Sequence, residues 1–287
     1  ILSGFLIQFY STILYIFVTD NSLIGNYSVS LNFVVLITFF ATPVTTMLFP
    51  AFSKLDAKKE RELLQNVFQY SVKYAALIVV PVTAMVMALA QPAINTIFEG
   101  KYEQAPFYLA LSAVTYLFTA LGSLSIGNLI NSQGYTKYNL KVTLLTVIIG
   151  FPLSFGMISQ FGIMGLIVTS LIVGLPSLFL SLRFIKKNFG VSVDWVSSAK
   201  IVFSSGTAAI LTYVTISQLP FSSLIQLIVG VIIFVIAVLL LAVITRTINK
   251  ADLVNIRQIV NALGPLRKPL NFVLNIIEKL MDIFHNK

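Results

Sequence analysis

The sequence has no cysteine, which rules out disulfides and thiolate metal centres. It has one histidine, His285; a lone histidine near the end of a chain reads as neither metal ligand nor catalyst. Charge is scarce too. Only 10% of the 287 residues are Asp, Glu, Lys or Arg, against about 25% in an ordinary soluble domain. That is too little to coat a water-facing surface. No acidic residue lies deep within an apolar run, and no glycine-rich phosphate loop or nucleophile–base pair is present. The expectation is a protein that is not an enzyme and carries no cofactor or metal.

What the chain does have is apolar length. Hydrophobic residues make up 57% of it, and mean hydropathy is +0.92. The runs are continuous rather than alternating, which excludes a β-barrel's period of two. Only helices or closed barrels satisfy the backbone inside lipid, and a helix needs about 20 residues to cross the hydrocarbon. About eight such segments can be marked, near 1–19, 28–50, 67–92, 105–129, 139–158, 161–182, 200–218 and 222–245. The fold class expected is an all-α polytopic membrane protein. The chain is already apolar at Ile1, with no basic stretch before it as a signal peptide would have. It is expected to be the C-terminal part of a longer protein.

The net charge of +9 would suggest nucleic acid on a soluble domain. Here the basic residues flank apolar runs, so they read as topology signals and no nucleic-acid partner is expected. Lys54, Lys58, Lys59, Arg61 and Lys73 follow the second segment. Lys137 and Lys141 follow the fourth, and Arg183, Lys186, Lys187 and Lys200 the sixth. The others lie after residue 245, and every Lys and Arg but Lys101 falls in these groups. The intervening loops hold Lys101 with Asp20, Glu99 and Glu103. An even weave of eight spans produces this split. It places the basic loops and the tail in the cytoplasm, and the chain in the cell membrane.

Pro43, Pro81, Pro152 and Pro176 fall within the segments, as static kinks or as bending points. Gly122, Gly127, Gly162, Gly165, Ser170 and Gly174 read as small packing surfaces. Asn26-Tyr27-Ser28 matches a glycosylation sequon by chance, because it abuts a span. Trp195 reads as an interface anchor. Beyond residue 245, apolar residues recur at helical spacing: Leu253, Ile256, Val260 and Leu263, then Leu270, Val273, Leu274, Ile277, Met281 and Phe284. Gly264-Pro265 separates the two sets, and Arg257, Arg267, Lys268 and Lys279 lie among them. This suits an amphipathic tail lying on the anionic inner leaflet, or one docked on protein.

Polar residues inside spans are costly in lipid and mark an interior. The substrate-cavity candidates are Lys73, Asn32, Tyr74, Asn128, Asn131, Lys137 and Lys141. Lys73 either snorkels to the inner headgroups or holds an anionic phosphate between helices. Asn32, with Gln8, Tyr10, Tyr70, Tyr74 and Asn95, could line a wet cavity. Asn128, Asn131 and Gln133, just before Lys137 and Lys141, form an amide-rich cationic cluster suited to sugars and diphosphates. An ordinary cytoplasmic loop has the same composition.

A series of blocks is specific in its order: IGNYSVSLNF at 24–33, LFPAFSKL at 48–55, KYAALIVVP at 73–81, QPAINTIFEGKYEQA at 91–105, NLINSQGYTKYN at 128–139 and FGIMGLIVTSLI at 161–172. Over roughly 8–190 the chain resembles the polysaccharide and O-antigen flippases of the multidrug/oligosaccharidyl-lipid/polysaccharide exporter superfamily. The resemblance implies a six-helix C-terminal lobe of a MATE-like transporter at 1–182 and a cytoplasmic linker at 183–199. An extra transmembrane pair at 200–245 and an amphipathic cytoplasmic tail at 246–287 follow. It also implies rocking of two lobes about a central cavity. The substrate would be a lipid-linked oligosaccharide moved from inner to outer leaflet. The implied partners are that substrate, membrane lipids and an N-terminal lobe missing from this chain. Where many relatives carry an acid before the IGNYS block, this sequence has Tyr10 and Ser11, which weakens ion coupling through this lobe. The alternatives are a drug or cation exporter of the same superfamily, which needs membrane-embedded carboxylates, and a polytopic glycosyltransferase, which needs acidic outer motifs.

Overall fold

The structure, a computed structural model, describes residues 2–250, with backbone only at 2–7. Beyond these it describes 252–254, 257, 271, 274, 275, 278, 279, 281 and 282. The chain is all helix among the described residues: α1 Leu2–Phe17, α2 Asn21–Ser53, α3 Arg61–Ala88, α4 Ala90–Phe98, α5 Ala105–Leu117, α6 Ser123–Ser132, α7 Thr136–Phe189, α8 Trp195–Ser217 and α9 Ser223–Ile244. Five of these helices are long and apolar enough to cross a membrane. A sixth span forms if α5, its 3-10 extension and α6 are taken as one path bent by 53°. The eight expected segments fall mainly on helix, but the boundaries move. α2 starts well before residue 28 because Asp20 caps it, accepting from Ser22 N–H at 2.8 Å.

α7 carries two of the expected segments, 139–158 and 161–182, as two helical arms that meet at a break close to the expected one. Its only non-helical dihedrals are at Gly162, φ 56° and ψ −130°. That conformation is open to glycine and strained for any residue with a Cβ. Three residues on, a Cβ at Gly165 would sit 2.0 Å from the Met157 carbonyl oxygen. Glycine at these two positions lets the arms 136–161 and 163–189 fold against each other. The prolines do not break the chain in this way: Pro152 and Pro176 lie inside helical dihedrals.

Side-chain amides fix which loops meet. The Gln133 amide nitrogen donates to the carbonyls of Phe52 and Leu55, both at 2.9 Å, and its oxygen accepts from Ala57 N–H. Gln65 pairs with Ser192, accepting from its N–H at 2.7 Å and donating to its carbonyl at 3.0 Å. The loops after α2, α6 and α7 therefore gather at one end, over a core of Phe52, Leu64, Phe68, Ile185 and Phe189. At the other end of α2, the Asn26 side-chain oxygen accepts from the N–H groups of Gln104 and Ala105, at 2.9 and 3.0 Å. It supplies the cap that α5 lacks of its own. This puts the loop carrying Lys101 opposite the basic loops. Asn26 is 5% exposed, so the sequon's side chain is spent on structure.

α8 packs along α3 and against α9, while α9 reaches α4. Leu253, Leu274 and Met281 from the tail are buried with Ala242, Val243 and Ile248, so these residues cover the end of α9. Ile256, Val260, Leu263, Gly264, Pro265, Arg267, Lys268, Leu270, Val273, Ile277, Phe284 and His285 lie outside the described residues.

Candidate functional site: a hydroxyl-lined groove and a buried ion pair

Polar residues gather in two separate places. The first is a groove. Ser170, Gly174, Ser177 and Ser181 recur at helical spacing on the second arm of α7. Ser177 and Ser181 line a cleft of about 340 Å³ with Ser123 and Gly127 of α6 and Asn139, Thr143 and Thr146 of the first arm. Thr146 and Ser177 hydroxyls are 3.2 Å apart across it, and Asn139 donates to Asn131 at 3.2 Å near its basic end. No Cβ at Gly174 would meet anything within 4 Å; this glycine leaves space where the sequence suggested close packing. Ser170 lines a second cleft of about 430 Å³, with Tyr10, Ser11, Tyr27, Ser112, Thr115 and Tyr116. From 170 to 181 the stripe rises ~16 Å at 1.5 Å per residue, about half of a ~30 Å hydrocarbon core. Among the described residues, none of the side chains lining either cleft is charged.

The second place is an ion pair. Lys73 Nζ lies 2.6 Å from Asp252 Oδ2, the side chains being 12% and 1% exposed. Tyr74 donates to the same carboxylate at 3.4 Å, and Tyr70 stacks on Tyr74 with ring centroids 5.8 Å apart. Asp252 accepts from Asn249 N–H, and Asn249 Oδ1 accepts from Asp252 N–H, both at 2.8 Å. That reciprocal pair is a capping box, so the acid that starts the tail's helix also neutralises the lysine of α3. Lys73 is close enough to act on Asp194 as well. Burial raises the Asp194 carboxyl; hydrogen bonds from Ser197 and Val196 and the charge of Lys73 outweigh it and hold it below the usual range.

The expected cavity set is therefore divided. Lys73 and Tyr74 come together, but with Asp252 rather than with the other candidates. Asn131 reaches the groove through Asn139. Asn128 is half-buried one turn from Leu124, whose carbonyl accepts from it. Lys137 and Lys141 are exposed on a face of α7 continued by Leu144, Ile148, Phe151 and Phe155. Asn32 is exposed on α2, on the stripe of Val35 and Phe39. Gln8 is exposed too, whereas Tyr10 lines the second cleft. Sequence reasoning passed over Thr143, Thr146, Ser177, Ser181 and Asp252. The hydroxyls announced themselves through helical spacing, and Asp252 through an amide three residues ahead of an acid before an apolar residue. No group of three or more His, Cys, Asp or Glu that could hold a metal occurs among the described residues.

Two similarities to known proteins bear on these features. A family profile described as "Polysaccharide biosynthesis protein" matches residues 1–106. A probable low-salt glycan biosynthesis flippase of Haloferax volcanii is 21% identical over 225 residues, covering 75% of this chain. The chain spans under half of that relative, 45% of its length. No solved structure matches.

Proposed function

We propose, from a profile match and a relative that together support a polysaccharide flippase family, that this chain is the C-terminal lobe of a glycan-carrier flippase with two extra helices and a tail. The groove then forms one wall of the transport path, and a lobe outside this chain forms the other. The glycan head crosses along the neutral stripe while its lipid stays in the bilayer. The basic end faces the cytoplasm, and movement is from inner to outer leaflet.

The stripe from Ser170 to Ser181, shared by both clefts, carries this reading. Neutral sugars are rich in hydroxyls. A wall of hydroxyls and amides exchanges hydrogen bonds with them at net values of about 0.5–1.5 kcal/mol each. Each contact is weak enough to release, as transport requires. A fixed cation would instead hold a diphosphate tightly through charge-assisted bonds, and the lysine best placed by sequence already has a carboxylate partner. The drug-exporter alternative needs a carboxylate free to exchange ions, whereas Asp252 is committed to Lys73.

The test is reconstitution of the complete protein in proteoliposomes with a labelled lipid-linked oligosaccharide. Acceleration of flipping over empty vesicles supports the proposal. Flipping no faster than in empty vesicles would end it.

A further inference from the structure

We infer that the Lys73–Asp252 pair is a latch, holding the basic-end half of α3 to the end of α9 across a hinge at Pro81. Pro81 has no N–H, so the Leu77 carbonyl loses its helical donor one turn after Lys73. Leu77 and Pro81 border a pocket of about 120 Å³ closed on its other side by Ala242, Thr247 and Ile248 at the end of α9. Ser205 of α8 also borders it; this residue is 1% exposed and its hydroxyl has no hydrogen-bond partner. Two hydrogen-bonding groups thus go unmet or lose a partner where α3 can bend, and a segment with unmade bonds is locally weak.

The strap from Thr245 to Lys250 crosses this weak point. Ser204 and Thr245 hydroxyls meet at 3.0 Å, and Thr245 and Thr247 at 2.6 Å, so the strap is tied to α8 on the way. Its far end is the capping box whose acid seats on Lys73. Bending α3 at Pro81 while α9 stays fixed would pull Lys73 from Asp252 and leave two opposite charges unpaired near hydrocarbon. Two further contacts keep the tail in place behind the strap: Arg257 with Glu278 at 2.9 Å and Lys250 with Asp282 at 3.1 Å. These are exposed and add little by themselves, so Asp252 is the element that decides whether the hinge is held.

The chain's lack of cysteine makes a direct test simple. Leu77→Cys and Ile248→Cys flank the hinge pocket, and Ile97→Cys with Val231→Cys gives a control pair at the other end of α9. Each pair is cross-linked in the full chain with a short bis-maleimide. The readout needs no transport, so it fails separately from the flippase proposal. The latch predicts that Asp252→Asn and Lys73→Gln each slow cross-linking at the hinge at least fivefold, leave the control pair unchanged, and are no slower when combined. Lys73→Arg should stay within twofold of the parent. Where a single variant does not fold, the double neutral variant carries the test, because replacing both partners is milder than orphaning one. Parent-like cross-linking in the neutral variants, or slowing equal at both pairs, would overturn the latch.

Discussion

The two polar regions of this molecule solve opposite problems. On the α3, α8 and α9 side, charge is buried and satisfied: Lys73 meets Asp252, and three donors converge on one carboxylate. Along α6 and α7, the polar groups are neutral and small, and they border open space. The difference teaches that in lipid a charged group marks structure once its partner is found, while a neutral groove is the surface that the proposed function assigns to a guest. A cation inside a span points to function only after a partner on the same chain has been sought.

Substitutions can break this comparison. The largest effect belongs to α7, because the groove exists only while its arms fold together. Gly165→Leu forces a side chain into the Met157 carbonyl, 2.0 Å from the Cβ position. It should abolish monodisperse protein in size-exclusion chromatography, and a normal profile would remove the close approach from the account. Next comes the ion pair. Asp252→Asn should destabilise by about 3–5 kcal/mol, since it leaves Lys73 buried without compensation. Thermal unfolding in detergent reads this, and a loss below ~1 kcal/mol would reclassify the pair as a surface contact.

The groove should respond in the reverse sense. Ser177→Leu with Thr146→Leu fills the 340 Å³ cleft with apolar volume. It should leave the unfolding temperature nearly unchanged and reduce flipping by the complete protein at least tenfold. Equal losses in stability and flipping would erase the contrast between the two regions. The smallest effect is at Asp194, the cap of α8. Its carboxyl is held below the usual range, so its contribution is present above the unfolded value and lost as pH falls through the folded one. Asp194→Asn keeps the cap but removes the charge favoured by Lys73 and the helix N-terminus, and should therefore lower stability by about 0.5 kcal/mol at neutral pH. The gap to the parent should close in unfolding curves taken at acid pH.

Much of the fold could be read from the sequence, because continuous apolar length is a direct consequence of the solvent. The marked segments fall mainly on helix, and five of the described helices, or six with the bent α5–α6 path, are long and apolar enough to cross a membrane. The boundaries could not be read, for specific reasons. Asp20 extends α2 through a cap, and the break between the two arms of α7 falls at Gly162, a few residues beyond the end that hydropathy had marked. Prolines drew attention as kinks, yet the sharp break in α7 came at a glycine with positive φ. The candidate site was only partly legible. Asn131 is a surface-like amide in sequence, and its link to Asn139 depends on how α6 turns into α7. Lys73 and Asp252 stand 179 positions apart, a separation that no local pattern bridges. The hydroxyl stripe had the right spacing, but serine and threonine within helices commonly bond their own backbone, as Thr146 does with Val142. Only the facing arm of α7 makes that stripe a groove wall.

The account depends on the loops gathered by Gln65 and Gln133 facing the cytoplasm together, with Lys101 on the other side. Lys101→Cys and Lys187→Cys, made singly in the cysteine-free chain, measure this with a thiol reagent that does not cross membranes. On intact cells the first should be labelled at once and the second only after permeabilisation. Labelling of both, of neither, or of Lys187→Cys alone would contradict the orientation, and with it the proposed direction of transport.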